Sequence, residues 1–492
     1  MLSPFDTPPP APASSEQDVP LVVDLDGTLI LTDMLHESSL QLARTAPWQV
    51  LALPLWLARG KAVLKRQVAE RVRMDAATLP YHPPLVAWLR EQKARGRRLV
   101  LCTASDQALA DAVARHLGCF DLVMASDGAR NLAGAAKAEA LVERFGERGF
   151  DYAGNSRADL PVWHRARAAI VVNAPGAVER QARAHGNVER SFPAPPAGLS
   201  AWRKALRLHQ WLKNLLLFVP LLAAHRLADG AAWAQLLPAF LAFGLCASSV
   251  YLANDLLDLE SDRQHPRKRL RPFASGTLAA WKGVALVPLL ATASLALAWL
   301  AGPAFLGWLA AYFAITWAYS LVLKRWALVD CITLAVLYSL RLVAGAAAVA
   351  QPLSFWLLAF SGFLFLSLAF VKRYAELLVQ QAAGKTQAHG RGYLTSDAPV
   401  VQSLGVAAGY TAVVVLALYL NSDTVLLMYR SPGLIWITVP VMAFWVSWMW
   451  LCAARGKMHD DPLVFAFKDR ASIAAGAVFG LALALARMEH PW

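Results

Sequence analysis

Between residues 21 and 188, short apolar runs (PLVVDLD, RRLVLC, DLVMAS and AAIVVNA) alternate with stretches of helical texture and end at turn residues. Strands alternating with helices predict a parallel sheet with helices on its faces. After Trp202 the pattern changes. Apolar spans run at about 208–226, 231–253, 284–300, 305–323, 327–350, 353–371, 400–420, 434–454 and 471–486. Most approach the roughly 20 residues that a bilayer helix needs, so nine transmembrane helices are predicted. The first is the weakest, because Lys213, Asn214 and Pro220 interrupt it. Four segments follow from the pattern: a Pro/Ser/Ala-rich flexible tail over 1–20, a soluble α/β domain over 21–190, a Pro/Gly linker over 191–200, and a membrane domain over 201–492. The tail lacks a basic start followed by an apolar core, so it does not read as a signal peptide.

Composition narrows the function classes. Of 492 residues, 57% are hydrophobic and only 16% charged, and mean hydropathy is +0.40. Disorder is excluded, since it needs low hydrophobicity. Lys+Arg 47 against Asp+Glu 34 leaves +13. Spread over so apolar a chain, that surplus does not make a nucleic-acid partner, which calls for dense basic faces. It suits membrane topology and anionic ligands instead. Cys102, Cys119, Cys246, Cys331 and Cys452 have neither paired nor metal-like spacing.

Loop charge sets the orientation. Counted over alternate loops, one side of the membrane carries sixteen Lys and Arg residues, Lys324 among them, and the other carries Arg226, Arg430 and Arg487. The positive-inside rule places the basic loops and the N-terminal domain in the cytoplasm, giving a multi-pass protein of the cytoplasmic (inner) membrane. Membrane lipids are therefore partners. Trp202, Trp211, Trp281 and Trp326 lie near predicted span ends, where tryptophan anchors.

In the soluble half, Asp24 and Asp26 stand in VVDLDGTL, at the end of an apolar run and before a glycine. Two carboxylates one residue apart can flank a phosphate, one attacking phosphorus and the other protonating the leaving oxygen. Such a site also needs a hydroxyl, a cation and oxygen ligands for Mg²⁺; Thr103, Lys137, and Asn155 with Asp159 in GNSRAD are candidates in chain order. The set resembles the haloacid dehalogenase superfamily of phosphatases over about residues 20–190, with a Rossmann-like fold. The resemblance implies Asp24 as nucleophile, Asp26 as general acid/base, Thr103 and Lys137 on the phosphate, and a helical cap from Asp33 to Tyr81 that selects substrate. It implies Asp24, Asp26, Asn155 and Asp159 around Mg²⁺. Asn155 departs from the acidic residue usual at its position. The run WQVLALPLWLA at 48–58 is too short to span a bilayer; it reads as a buried cap helix, with a patch resting on the membrane as the alternative.

In the membrane half, the segment from Asn254 to Gly276 reads NDLLDLESDRQHPRKRLRPFASG. Asp255, Asp258 and Asp262 are three and four apart, so on a helix they share a face. Carboxylates gathered at a membrane helix end repel unless a cation compensates, and Mg²⁺ with diphosphate oxygens does so. Arg263, Arg267, Lys268, Arg269 and Arg271 follow as holders of phosphate charge. The pattern NDxxDxxxD in a nine-helix membrane protein resembles the UbiA superfamily of intramembrane prenyltransferases over about 200–490. That implies an all-α transmembrane bundle with Asn254 and the three aspartates at its substrate site.

Most members carry a second Asp-rich motif, whereas FVKRYAELLVQQ stands in the corresponding loop here. With RLHQWLKN, YSLVLK and RGKMHDDPLVFAFKDR, the chain looks like the decaprenyl-phosphate phosphoribosyltransferase branch. The resemblance implies phosphoribosyl diphosphate and polyprenyl phosphate as substrates. Lys213, Asn214, Lys324, Arg341, Lys372 and Arg373 are candidate phosphate contacts, each otherwise a snorkelling or topology charge. Arg341 differs from the rest in lying within an apolar span. Tyr319 either lines the cavity or anchors at the interface.

The two resemblances together imply a bifunctional enzyme that makes polyprenyl-phosphoryl 5-phosphoribose and removes its 5-phosphate for cell-envelope glycan synthesis. Three other readings stay open: a prenyl diphosphate donor with an aromatic acceptor, a soluble domain that only regulates, and a transporter. Homo-oligomerisation is left open too.

Overall fold

The computed structural model describes residues 19–194, 198–387, 391–422, 425, 429–458 and 461–487. Six strands form one sheet: β1 (Leu21–Val23), β2 (Leu99–Asp106), β3 (Leu122–Ser126), β4 (Asp151–Gly154), β5 (Ala169–Val172) and β6 (Val188–Phe192). All neighbours pair in parallel, in the order β3-β2-β1-β4-β5-β6, so β1 is central.

Successive residues of a strand point to opposite faces. Leu21, Val23, Leu99, Leu101, Ile170 and Val172 therefore pack on one side, and Val22, Val100, Cys102, Ala169 and Val171 on the other. The helices cover these faces. In chain order they are α1 (Met34–Thr45), α2 (Leu53–Ala58), α3 (Lys61–Ala69), α4 (Pro83–Ala94), α5 (Gln107–Leu117), α6 (Ala135–Phe145), α7 (Leu160–Arg165) and α8 (Gly176–Ala184). Leu85, Leu89 and Val113 of α4 and α5 join the first face; Leu141, Trp163 and Val178 of α6 to α8 join the second. Asp33 caps α1 by accepting from the backbone N–H of Leu35 and His36.

The predicted cap is helical: α1 to α3 fill the interval between β1 and Tyr81 and gather around Leu42, Trp56, Leu64, Val68 and Val72. Its segment 48–58 is not the buried helix expected. It is a 3₁₀ turn (Pro47–Ala52) running into α2, and only Trp56 of its large side chains is buried. Two prolines, Pro47 and Pro54, break it into pieces too short to bury a whole face.

By contacts the chain divides into two units, one joining residues up to Ala205 with Leu252–Leu286, the other joining Leu206–Tyr251 with the remainder. α9 (Leu199–Ala205) closes the N-terminal part of the first.

Eight helices among the described residues are long and apolar enough to cross a membrane. Five are α11 (Gly230–Leu257), α13 (Ala280–Ala301), α14 (Pro303–Leu321), α15 (Val329–Ala348) and α16 (Phe355–Ala382); α17 (Ala398–Leu420) is the core of the sixth, and Pro432–Ala454 and Arg470–Arg487 complete the set. The ninth expected span, 208–226, is interrupted: a 3₁₀ run (Leu208–Phe218) leads into α10 (Val219–Ala223), whose second residue is Pro220. Pro220 has no N–H to carry a helix through that point. The run lies close against α15, where a Cβ on Gly345 would stand 2.0 Å from the Leu217 carbonyl oxygen. Small residues permit such backbone approaches in membrane bundles.

Candidate active sites

The first site stands at the carboxyl end of β1. The Asp24 N–H donates to the Ala153 carbonyl at 2.9 Å, which continues the β1–β4 pairing, and the chain then turns at Gly27 with φ +73°. A side chain there would be strained, and its Cβ would fall 2.1 Å from Asn155 Nδ2. The glycine thus lets the Asp24–Asp26 turn lie directly under the Asn155 loop.

Lys137 of α6 is buried and donates to Asp24 Oδ1 at 2.7 Å and to the Tyr152 hydroxyl at 2.9 Å. Tyr152 in turn donates to Asp159 Oδ1 at 2.7 Å. Burial drives the Asp24 carboxyl up to about 7 against the pull of Lys137, with Asp159 and Asp26 adding to the rise. Burial disfavours charge on Lys137 as well, but Asp24 and Asp159 outweigh it and hold the amine above its usual range.

Asp26 is raised by burial and then by Asp33. Its Oδ1 accepts from the Met34 N–H at 2.8 Å, and its Oδ2 accepts from Ser105 Oγ at 2.7 Å and Thr103 Oγ1 at 3.3 Å. The register of β2 against β3 shifts between Cys102 and Asp106, and this irregularity carries Thr103 and Ser105.

Asp159 is committed within the protein: its Oδ2 accepts from the N–H groups of Asn155 and Ser156 and from Ser156 Oγ, all within 3.1 Å. It shapes the turn that carries Asn155 and has little left for a metal. Among the described residues no three His, Cys, Asp or Glu side chains gather as a metal site. Mg²⁺ commonly takes one or two carboxylates and fills its shell with water and phosphate oxygens. Asp24, Asp26 and the Asn155 amide fit that need; Asp159 fits a supporting role.

The second site is the Asp-rich segment. The helix bearing Asp255 and Asp258 is not continuous as expected: α11 ends at Leu257, Asp258 leaves helical geometry (φ −102°, ψ 14°), and α12 (Leu259–Gln264) resumes. The Asp258 N–H still donates to Asn254 and the Asp262 N–H to Asp258, so the turn is preserved. Arg271 therefore reaches both Asp255 Oδ1 at 3.0 Å and Asp262 Oδ2 at 2.6 Å, and Lys268 stands 3.9 Å from Asp262. Asp258 and Asn254 are half-buried beside them. Burial raises the Asp262 carboxyl, and Arg271 opposes the rise. Asp255 and Asp262 fit a divalent cation as donors, with Arg271 supplying the positive charge between them. Arg263, expected on substrate phosphate, is engaged within the fold: its Nη2 and Nη1 donate to Glu37 at 2.6 and 3.1 Å.

In the second unit, four expected phosphate contacts come together. Lys213 Nζ donates to Asp461 Oδ2 at 2.6 Å, Lys372 Nζ to the same oxygen at 3.3 Å, and the Tyr338 hydroxyl to both Asp461 oxygens. Burial opposes charge on Asp461, but the two lysines overcome it and hold the carboxyl well below the usual range. Nearby, Arg341 Nε donates to Asn214 Oδ1 at 3.1 Å and Nη2 to the Tyr312 hydroxyl at 2.9 Å. Its guanidinium also stands over the rings of Phe243, Tyr312 and Tyr338. A charge inside an apolar span is thus caged by π-faces and hydrogen bonds. Asn214 Nδ2 is buried without a hydrogen-bond partner.

Arg373 and Tyr319 belong to a separate cluster. Arg373 is fully enclosed, paired with Asp330 at 2.6 Å and with Glu376. Tyr319 donates to Asp330 and accepts from Arg391 at 3.0 Å. Lys324 sits half-buried in the 3₁₀ turn Leu323–Arg325.

Residues 216–470 match the UbiA prenyltransferase family. The chain belongs to that family. Residues 21–164 match the haloacid dehalogenase-like hydrolases, which makes this a UbiA-family membrane protein with a hydrolase-like N-terminal domain. The protein y4nM of Sinorhizobium fredii is 37% identical over 475 residues, spanning 96% of this chain and 92% of that one, so the match runs through both domains. The nodulation protein NoeC of Azorhizobium caulinodans is 38% identical over 285 residues, 57% of this chain and 91% of that one. A decaprenyl-phosphate phosphoribosyltransferase of Mycolicibacterium smegmatis is 34% identical over 285 residues, 56% of this chain and 89% of that one.

The UbiA-type bundle holds residues that the sequence did not single out: Asp461, Tyr338, Tyr312, Asp330 and Arg391. In the hydrolase-like domain the additions are Ser105, Tyr152 and Lys65, whose Nζ donates to the Ala104 carbonyl and to Asn131. Asp461 lies in the stretch RGKMHDDPLVFAFKDR, which carries part of the resemblance, but nothing in it singles out this aspartate from its neighbours.

Proposed function

We propose that the membrane domain transfers 5-phosphoribose from phosphoribosyl diphosphate to polyprenyl phosphate, and that the N-terminal domain then removes the 5-phosphate. The convergence of Lys213, Lys372, Asn214 and Arg341 inside an apolar bundle carries this reading. Such a cluster of nitrogen donors is what an anionic substrate requires within a membrane. Relatives named decaprenyl-phosphate phosphoribosyltransferase support it.

Asp255 and Asp262, with Asp258, would hold Mg²⁺, which when bound neutralises the donor diphosphate and eases its departure from C1. Arg271 and Lys268 stand ready to take phosphate charge as the carboxylates turn to the metal. Lys213 and Lys372 would exchange Asp461 for the lipid phosphate, whose oxygen attacks C1 as the bond to diphosphate breaks. No protein nucleophile is required, and catalysis rests on position and electrostatics.

At the N-terminal site, Asp24 attacks the 5-phosphate and Asp26 donates a proton to the ribose oxygen that leaves; water then releases phosphate from Asp24. Lys137 and Thr103 hold the phosphoryl oxygens. The short linker keeps the second site at high effective concentration around the membrane-bound product. In this reading both activities work on the cytoplasmic side of the inner membrane, which the charge of the basic loops supports.

The test supplies detergent-purified protein with Mg²⁺, a polyprenyl phosphate and ribose-labelled phosphoribosyl diphosphate. Label enters the organic phase with the native chain, stays aqueous with Asp255→Ala, and enters as a 5-phosphorylated lipid with Asp24→Asn. Folded native protein that forms no labelled lipid refutes the ribose donor. Equal dephosphorylation by Asp24→Asn refutes the assignment of the second step to the N-terminal domain.

A further inference from the structure

The outer face of the cap presents large apolar side chains to the surroundings. Along Pro47–Ala58, Leu51 is 84% exposed, Trp48 70% and Leu55 56%, while Trp56 turns inward against Leu42 and Leu64. Burying one side of this segment would satisfy an ordinary cap. Leaving a tryptophan and two leucines bare on the other side means that something else covers them.

Charge identifies what covers them. From Ser38 to Ala69 there is no acidic residue; of its five cations Lys65 turns into the hydrolase-like site and Arg66 pairs with Glu70, which leaves Arg44, Arg59 and Lys61 for the surroundings. Arg44, Arg59 and Lys61, which flank the apolar face, are all exposed. An apolar face edged by cations and bearing tryptophan is the pattern of a segment lying in a bilayer interface over anionic headgroups.

Position agrees. Glu37 of α1 is gripped by Arg263, six residues beyond the end of the spanning helix α11, and the same loop re-enters the membrane at α13. α1 runs from that anchored point straight into Pro47. Eight helical residues from Glu37 to Thr45 cover about 12 Å. The exposed face therefore starts within a short reach of the membrane surface.

We propose that Pro47–Ala58 docks into the headgroup layer of the bilayer, holding the hydrolase-like domain against the membrane with Trp48, Leu51 and Leu55 inserted. The docking rests on the chain being an integral membrane protein and not on which reaction either site performs.

The test uses the full chain in phosphatidylglycerol–phosphatidylethanolamine liposomes, with Leu51→Cys carrying an environment-sensitive fluorophore. All five native cysteines are buried, so labelling is selective. Glu147→Cys, at an exposed position of the same domain outside the patch, is the reference. The expected result is quenching at 51 by lipid-attached nitroxide, and iodide quenching about threefold weaker than at 147. Iodide quenching equal at both positions overturns the proposal. So does a fluorophore at 51 shielded from iodide but untouched by the lipid quencher, which would mean that a second copy or another protein covers the face. Leu55→Cys repeats the measurement independently if the first label perturbs the cap.

Discussion

Arg263 forms a two-pronged ion pair with Glu37, and both side chains are buried. Glu37 is further held by Thr32 Oγ1 at 2.7 Å, and Arg263 Nε donates to the Ala274 carbonyl at 2.9 Å. The pair joins the first cap helix to the Asp-rich segment. Beside it, Gly276 with φ +74° brings the loop so close that a Cβ would stand 2.5 Å from Leu31 Cβ.

Removing one partner leaves a buried charge unmatched, which costs about 3–5 kcal/mol. Glu37→Ala should lower the unfolding midpoint of the detergent-purified protein, whereas Glu37→Leu with Arg263→Met should recover most of the loss. A single variant as stable as the native chain would show that water reaches the pair.

Asn155 offers an amide where a carboxylate would bind a cation more strongly. Asn155→Asp should lower the Mg²⁺ concentration giving half-maximal phosphatase rate by roughly tenfold, the scale of one added ligand charge. Titrating Mg²⁺ against hydrolysis of a soluble phosphomonoester measures it, and an unchanged midpoint removes Asn155 from the ligand set.

Asp461 is held below the usual carboxylate range by Lys213 and Lys372. A depressed carboxylate stabilises the fold above its unfolded value of about 3.9, and that contribution is lost as pH falls through the folded value. Thermal unfolding of the native chain should therefore weaken steeply below about pH 4. Asp461→Asn should be less stable at pH 7 and lose less between pH 5 and pH 3. Parallel pH profiles for the two proteins would count against the assignment.

Lys372 and Arg373 are neighbours with different work. Lys372 keeps 28% of its side chain exposed beside Asp461, while Arg373 is sealed between Asp330 and Glu376. Lys372→Met should raise the KM for polyprenyl phosphate with little change in unfolding midpoint. Arg373→Met should cost about 3–5 kcal/mol of stability. The reverse pattern would exchange their roles.

Four of the six strands are readable as apolar runs, and so are the DLDGTL turn and the Asp-rich segment. The others are hidden for local reasons. β4 opens on Asp151, a buried carboxylate paired with Arg97 and Arg167, so it lacks an apolar run. β6, VERSF, alternates polar residues at the sheet edge, and its end lies where composition reads as linker. Pro220 marks the interruption of the first span, but the depth at which a 3₁₀ run replaces a helix depends on the close approach to Gly345. The partners of the sites were out of reach for another reason. Lys213 and Asp461 are 248 residues apart, and Glu37 and Arg263 are 226 apart. Periodicity reports neighbours along an element and says nothing of such pairings.

That last separation has a consequence for biosynthesis. At a typical synthesis speed, Glu37 leaves the ribosome roughly 10–45 s before Arg263 exists. The sheet can close in that interval, but Glu37 keeps only its Thr32 hydrogen bond, without a cation, until the loop after α11 has been made. The last tie of the cap is thus made only after the first membrane helix of the bundle has been synthesised, however early the rest of the domain folds.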